Sequence, residues 1–177
     1  MSRHGFMAKR IFVSVTLMVS ICAAPNHTPG NQQNSSLLYR KAAEIATSGN
    51  LQQAIPLFRE VIKLSPHYTK GHYGLGKALL YKEETVREGI RHLQKAVSLD
   101  RRNAPAFFYL GIGYMLSKNY MNSIDAFQKA YQLDPNMIEA LFNIGSAFDI
   151  MENKKQSTRY FRQYLEKQHR EDSDILF

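Results

Sequence analysis

The chain has 177 residues, of which 44% are hydrophobic and 21% charged, as expected for a globular domain with one apolar core. Its net charge of +8 is scattered, and three of those charges belong to the first ten residues, so the composition argues against a nucleic-acid-binding protein. The single cysteine, Cys22, excludes a disulfide framework and a redox-active cysteine pair.

The first 24 residues have the order of an export signal. A basic head with Arg3, Lys9 and Arg10 precedes 14 uncharged and mostly apolar residues, Ile11–Ala24. A membrane-spanning helix needs about 20 apolar residues, so this stretch is too short to cross a bilayer comfortably. We therefore predict that residues 1–24 direct export, either to the bacterial periplasm or to the outer membrane as a lipoprotein.

Cys22 leaves two alternatives open for the maturation of this signal. Acylation of Cys22 would tether the protein to a membrane; Val19 and Ser20 suit that interpretation, although Ile21 stands where a small residue is usual. Cleavage after Ala24 would instead release a soluble protein.

Polar segments flank the rest of the chain. Residues 25–35 are rich in turn-forming and polar side chains and are predicted to form a flexible tether. Residues 169–177 are predicted to form a frayed tail. The domain itself is expected over residues 36–168.

Four families of positions repeat in step along this domain. Small residues recur at spacings of 34, 35 and 34, and a large apolar residue recurs at spacings of 35, 34 and 34. The small residues are Ala42, Gly76, Gly111 and Gly145, and the large ones are Phe58, Leu93, Phe127 and Phe161. A second small residue recurs at Ala54, Gly89, Ser123 and Ser157, and the units end on Leu-Ser-Pro, Leu-Asp-Arg and Leu-Asp-Pro. The pattern predicts helix–turn–helix units in which small residues let two helices approach closely.

These residues resemble the tetratricopeptide repeat (TPR), a helical-hairpin family. The third unit is the most similar, with Leu110, Gly111, Tyr114 and Phe127 at signature positions. The resemblance implies an all-α fold, a right-handed superhelix of four units over about residues 35–68, 69–103, 104–137 and 138–168. We predict eight helices, over 36–48, 51–64, 70–82, 86–98, 104–117, 120–132, 138–151 and 154–168.

Capping residues support these boundaries. Asn50, Asn119 and Asn153 each precede a second helix, where the Asn side chain can accept hydrogen bonds from free backbone N–H groups. Thr85 and Glu88 have the spacing of a capping box.

The sequence predicts neither catalysis nor a cofactor. It has no glycine-rich phosphate loop and no His-Glu-x-x-His motif, and its six histidines lack metal-ligand spacing. His67 and His72 flank the turn between the first two units and are expected to be solvated there.

An aromatic ladder is the feature that points to function. Tyr39, Tyr73, Phe108 and Phe142 occupy one position in the first helix of all four units. In the TPR family the first helices line the concave wall, so the resemblance implies that these rings face a shared groove. Aromatic side chains are common anchors of protein interfaces, although rings here can also serve packing between units alone.

The predicted groove has further members besides the ladder. They are Arg40, Lys70, Lys77, Tyr81, Ile112, Met115, Asn143 and Asp149. With Arg40, Lys70 and Lys77 near one end and Glu139 and Asp149 near the other, we expect a groove that is basic, then apolar, then acidic.

We interpret the chain as a non-catalytic adaptor of the bacterial envelope that binds a peptide or helix of a partner protein. Self-assembly into a homodimer through Tyr160, Tyr164 and the last helix is the first alternative. A carrier of small hydrophobic ligands is the second. Tyr164, which replaces a small residue, either closes the end of the core or forms a dimer contact.

Overall fold

A computed structural model describes residues 29–174, with side chains described for residues 32–169. The predicted signal, Cys22 and the last three residues lie outside this range. The described chain contains eight α-helices and no strands, as predicted. They are α1 (Pro29–Thr47), α2 (Leu51–Leu64), α3 (Thr69–Leu79), α4 (Val86–Leu99), α5 (Ala104–Leu116), α6 (Tyr120–Leu133), α7 (Glu139–Ile150) and α8 (Lys154–Asp174).

Consecutive helices pair as four hairpins, and a continuous core joins the hairpins. The first core cluster combines Phe58 of α2 with Leu75 and Leu79 of α3, which are all almost fully buried. Equivalent clusters join the second hairpin to the third and the third to the fourth. The chain is therefore an all-α superhelix of stacked helical hairpins.

The small residues act as predicted. A Cβ atom built on Gly111 would lie 2.8 Å from the ring of Phe127, and one on Gly145 would lie 2.8 Å from the ring of Phe161. The buried Ser123 hydroxyl donates to the carbonyl of Gly111 over 2.9 Å and ties α6 to α5. A larger side chain at either glycine would force the two helices of its hairpin apart.

The turns inside the hairpins use one left-handed residue at equivalent positions. These residues are Gly49 with φ +86°, Lys118 with φ +61° and Glu152 with φ +59°. The three predicted asparagine caps lie directly after these residues. The side chains of Asn50, Asn119 and Asn153 each accept a hydrogen bond from the backbone N–H three residues further along the chain. Sequence analysis missed a fourth cap, in which Asn103 accepts from Ala106.

The second hairpin departs from this turn, and two predictions fail there. Helix α3 ends at Leu79, three residues earlier than predicted, and a 3₁₀ turn spans Glu83–Thr85. The predicted capping box is wrong, because the hydroxyl of Thr85 donates to the carbonyl of Leu79 over 2.6 Å instead of capping α4. The one-residue insertion in this turn moves Thr85 off the geometry of an N-cap.

Both ends of the domain are more helical than predicted. Helix α1 begins at Pro29, so residues 29–35 are helical rather than part of the tether. Ser35 is fully buried and its hydroxyl lies 2.7 Å from that of Ser65, which fixes the first turns of α1 against the α2–α3 connection. Helix α8 continues to Asp174, because no proline or glycine interrupts residues 154–174, and only 175–177 of the predicted tail remain undescribed.

The expectation for His72 is also wrong. Its side chain is 6% exposed, its Nδ1 lies 3.0 Å from Nδ1 of His92, and its Nε2 lies 3.0 Å from the carbonyl oxygen of Pro66. His72 occupies the position that Phe107 and Leu141 occupy in the later units, which is a core position. His67, in contrast, is exposed as predicted. Within the described helices, none is both long and apolar enough to cross a membrane.

Candidate binding groove

The ladder rings each pack one face against the protein. Tyr39 contacts Phe58 with ring centroids 5.8 Å apart, Phe108 contacts Phe127 at 5.3 Å, and Phe142 contacts Phe161 at 5.5 Å. Each contact joins the first helix of a hairpin to its second helix.

The second hairpin has Leu93 where the others have phenylalanine, and its ladder ring, Tyr73, packs on Tyr109 of the next hairpin at 5.8 Å. Three of the four rings are half-buried, and Phe142 is 48% exposed. The ladder therefore contributes to packing and still leaves ring surface open to solvent.

Two cavities lie along the first helices. The first, of about 360 Å³, lies between α1 and α3, and the second, of about 160 Å³, lies between α3 and α5. Lys77 and Tyr81 line both. The first cavity is otherwise lined mainly by Tyr39, Ala43, Phe58, Tyr73 and Ala78, and the second by Leu80, Tyr109, Ile112 and Leu116. We call these two adjoining cavities the groove.

Lys77 is a cation in a largely aromatic setting. Its ammonium nitrogen lies 4.6 Å from the centroid of the Tyr109 ring, a cation–π contact. Burial lowers the pKa of Lys77, but a hydrogen bond to the Tyr109 hydroxyl and charge interactions with Tyr109, Tyr73 and Tyr81 outweigh it, so the pKa is raised. Lys77 is therefore charged at neutral pH, and among the described side chains no carboxylate lies within ion-pair distance of it.

The neighbouring tyrosines stay protonated. Burial raises the pKa of Tyr39, with a smaller contribution from Tyr68, and burial also raises the pKa of Tyr73. Their phenol groups can therefore donate hydrogen bonds at neutral pH. Together with Lys77 they form a donor-rich strip on an apolar wall.

The groove unites five of the residues predicted from the sequence. Tyr39, Tyr73, Lys77, Tyr81 and Ile112 line it.

The other predicted residues lie elsewhere. Arg40 lies beside Leu37 and Glu44 on the outer side of α1, around a separate cavity of about 610 Å³. Lys70 is exposed and Met115 is half-buried against the core of the third and fourth hairpins.

The fourth hairpin does not extend the two cavities. Asn143 donates through Nδ2 to the carbonyl of Glu139 over 2.8 Å, and Asp149 accepts from the ammonium of Lys154 over 2.7 Å. The predicted order of charge along the groove, from basic to acidic, is therefore weakened at both ends. Arg40 faces away from the groove, and Asp149 is already paired with Lys154.

Tyr109 is the groove residue that sequence analysis missed. It follows Phe108 and occupies the position of Gly74 in the second hairpin. Comparison of the units does not mark this position, because Gly74 has no side chain and a Cβ built there would lie 2.5 Å from the ring of Phe58.

Comparisons with known proteins bear on the fold. No protein-family model matches the sequence, and no curated protein matches it. Among solved structures, a crystal structure of MamA is similar with a TM-score of 0.75 and 24% identity over 81% of this chain and 84% of that one. MamA from Desulfovibrio magneticus RS-1 aligns with a TM-score of 0.73 and 26% identity, over 78% of this chain and 77% of that one.

A mutant O-GlcNAc transferase of Thermobaculum terrenum is similar over 68% of this chain but only 23% of its own length, with a TM-score of 0.64 and 21% identity. The all-α helical-repeat superhelix thus recurs in solved proteins of differing size, and this architecture fits the tetratricopeptide repeat.

Proposed function

We propose that this chain is a non-catalytic adaptor that holds a segment of a partner protein in the groove. The observation that carries the proposal is Lys77, a charged group at the junction of two apolar cavities that has no carboxylate partner within the described part of the chain. Desolvating an ammonium group is costly unless an anion compensates it, so the groove suits an acidic residue flanked by apolar side chains.

The geometry favours a polypeptide over a small ligand. Small-molecule sites usually enclose most of the ligand surface. Here Tyr81, which lines both cavities, is 69% exposed, so the cavities open to solvent along the wall of the superhelix. A polypeptide that crosses both cavities could place successive side chains in them, and several modest contacts of this kind are typical of bound peptide segments.

Exposed side chains on opposite sides of the domain allow a matched test. A random-peptide library would be selected on the full chain, and the best peptides measured against Tyr81→Ser and Leu37→Ser. These residues are 69% and 58% exposed, so neither replacement removes core packing. Tyr81→Ser should weaken binding at least tenfold and Leu37→Ser should leave it unchanged, whereas equal affinities for both variants would reject the groove.

Self-assembly through the last helix has less support as the alternative. Tyr160 stacks on Phe148 with centroids 5.7 Å apart, and Tyr164 packs edge-on against Phe142 at 5.5 Å. Both rings are half-buried inside the fourth hairpin. Their contacts favour closure of the core end over a dimer interface.

Export and membrane tethering belong to the same proposal. The basic head and the apolar stretch Ile11–Ala24 support a periplasmic or outer-membrane location. Mass spectrometry of the mature N-terminus distinguishes the forms. A diacyl or triacyl mass on Cys22 would support a lipoprotein, a start at Pro25 a soluble exported protein, and an intact Met1 would reject export.

A further inference from the structure

Helix α8 is longer than its counterparts. Helices α2, α4 and α6 end at Leu64, Leu99 and Leu133, and the equivalent position in the fourth unit is Lys167. Helix α8 continues seven residues beyond Lys167, to Asp174. Helix α8 therefore extends beyond the edge of the domain at which the other second helices end.

Residues 171–177 combine the two chemistries that suit the groove, carboxylates and large apolar side chains. Residues 171–174 are Glu-Asp-Ser-Asp, and Ile175, Leu176 and Phe177 follow directly. Three carboxylates and three large apolar side chains thus lie within seven residues. Burying large apolar side chains is favourable, so an apolar surface that accepts them would bind this segment more tightly.

The groove complements this segment in charge and in shape. Lys77 offers an ammonium group that has no carboxylate partner among the described side chains, and the cavities on its two sides measure about 360 and 160 Å³. An apolar cavity of about 150 Å³ is large enough for a benzene-sized group. With a carboxylate of Asp172 or Asp174 on Lys77, the apolar side chains of Ile175–Phe177, which all follow in sequence, would therefore lie next to one of these cavities.

The groove of the same molecule is out of reach. First helices of neighbouring units lie about 10 Å apart, so Lys77 on α3 lies about 20 Å from the fourth unit. Three extended residues span at most about 10 Å. The segment can therefore reach only the groove of another copy.

We propose that residues 172–177 of one copy bind in the groove of a second copy. A carboxylate of Asp172 or Asp174 pairs with Lys77, and apolar side chains of Ile175–Phe177 enter the cavity beside it. Because segment and groove are different surfaces, the contact is heterologous and joins copies head to tail. This inference rests on the proposed function, since it names the segment that the groove accepts.

A labelled peptide of residues 168–177 tests the contact directly. Fluorescence anisotropy would measure its binding to the full chain carrying Leu176→Asp and Phe177→Asp, which removes competition from the chain's own segment. Lys77→Ala should weaken binding at least tenfold. The control Lys63→Ala, an exposed lysine of α2 with 79% of its side chain accessible, should leave it unchanged.

Charge reversal separates a specific ion pair from general attraction. A peptide with Asp172→Lys and Asp174→Lys should bind the Lys77→Glu chain more tightly than it binds the chain with Lys77. If reversal on both sides restores no binding, the assignment of the carboxylate to Lys77 is overturned.

Sedimentation of the full chain provides the second measurement. The mass should rise with concentration, and Leu176→Asp with Phe177→Asp should abolish that rise without altering the helical circular dichroism. A mass that these changes leave untouched overturns the inference. If the segment fails to bind but library peptides bind in a Lys77-dependent way, the inference alone falls; if neither binds, the adaptor proposal falls with it.

Discussion

The histidine pair of the second hairpin shows how single residues can make stability depend on pH. The carbonyl of Pro66 only accepts hydrogen bonds, so Nε2 of neutral His72 carries the proton and its Nδ1 accepts from Nδ1–H of His92. Nε2 of His92 then faces Glu88 Oε1 at 3.9 Å. The pair thus ties α3 to α4 and to the preceding turn while both rings are neutral.

Protonation of the pair opposes folding. Burial lowers the pKa of His72, with Lys95 and His67 adding to this, although the hydrogen bond to Pro66 raises it. Burial also lowers the pKa of His92, with His72, Arg59 and Arg91 adding to this and Glu88 opposing it. Above about pH 6.5 neither the folded nor the unfolded rings are charged; below it the unfolded chain binds protons that the folded chain resists.

The free energy of unfolding should therefore fall as pH decreases below about 6.5. Urea unfolding at pH 7.5 and 5.0 measures the change. The variant His72→Leu with His92→Ala, which carries the residues of equivalent positions in other hairpins, should show a smaller fall. His169→Gln, at an exposed histidine of α8, is the control, and an equal fall in the double variant would contradict the assignment.

At the scale of the element, Tyr164 determines how the last hairpin ends. The equivalent residues in the first three units are Val61, Ala96 and Ala130, which are fully buried. Within the described residues no fifth hairpin covers α8, and Tyr164 packs against Phe142 at 5.5 Å. A large ring here replaces the contact that a further helix would supply.

Tyr164→Ala should lower the free energy of unfolding by about 2 kcal/mol, because about 100 Å² of ring surface would lose its apolar contact. Chemical denaturation at two protein concentrations measures this. The loss should be the same at both, since the contact lies within one chain. Leu165→Ala, at a residue 51% exposed, should cost much less, and a loss seen only at high concentration would indicate a dimer contact instead.

How far the sequence predicts the elements depends on whether a feature repeats. The close approach at Gly111 and Gly145 and the caps at Asn119 and Asn153 recur in every unit or nearly so, and their periodicity reveals them. The pairing of His72 with His92 occurs once, between positions that are apolar elsewhere, so no period marks it.

The ends of the domain and the groove were harder to predict for the same reason. The burial of Ser35 against Ser65 depends on a contact across the α2–α3 connection that no local pattern encodes. In the groove, spacing predicts Tyr73 and Lys77 correctly but places Arg40 among them, whereas Arg40 lines a separate cavity on the other side of α1.

At the scale of the whole molecule, stability is expected to be a sum of units and of contacts between neighbours. Val61 of α2 shows how one contact joins two units: it is fully buried, and its Cγ1 lies 2.9 Å from where a Cβ on Gly71 of α3 would be. Among the described residues, the first hairpin makes such contacts on one side only, since its outer side carries Arg40, Lys41 and Glu44. It should therefore open before the two central hairpins.

Val61→Ala should make that difference visible. Removing two buried methyl groups costs about 2 kcal/mol, and the loss falls on the hairpin with one neighbour. Hydrogen exchange should accelerate in α1 and α2 while α5–α8 keep their protection, because opening of a terminal unit leaves the remaining interfaces intact. Ile144→Val, at a residue of α7 that is 1% exposed, should shift faster exchange to the opposite end instead. Equally faster hydrogen exchange in all eight helices would mean that the superhelix unfolds as a single cooperative unit. In that case the groove could not loosen at one end to admit a ligand.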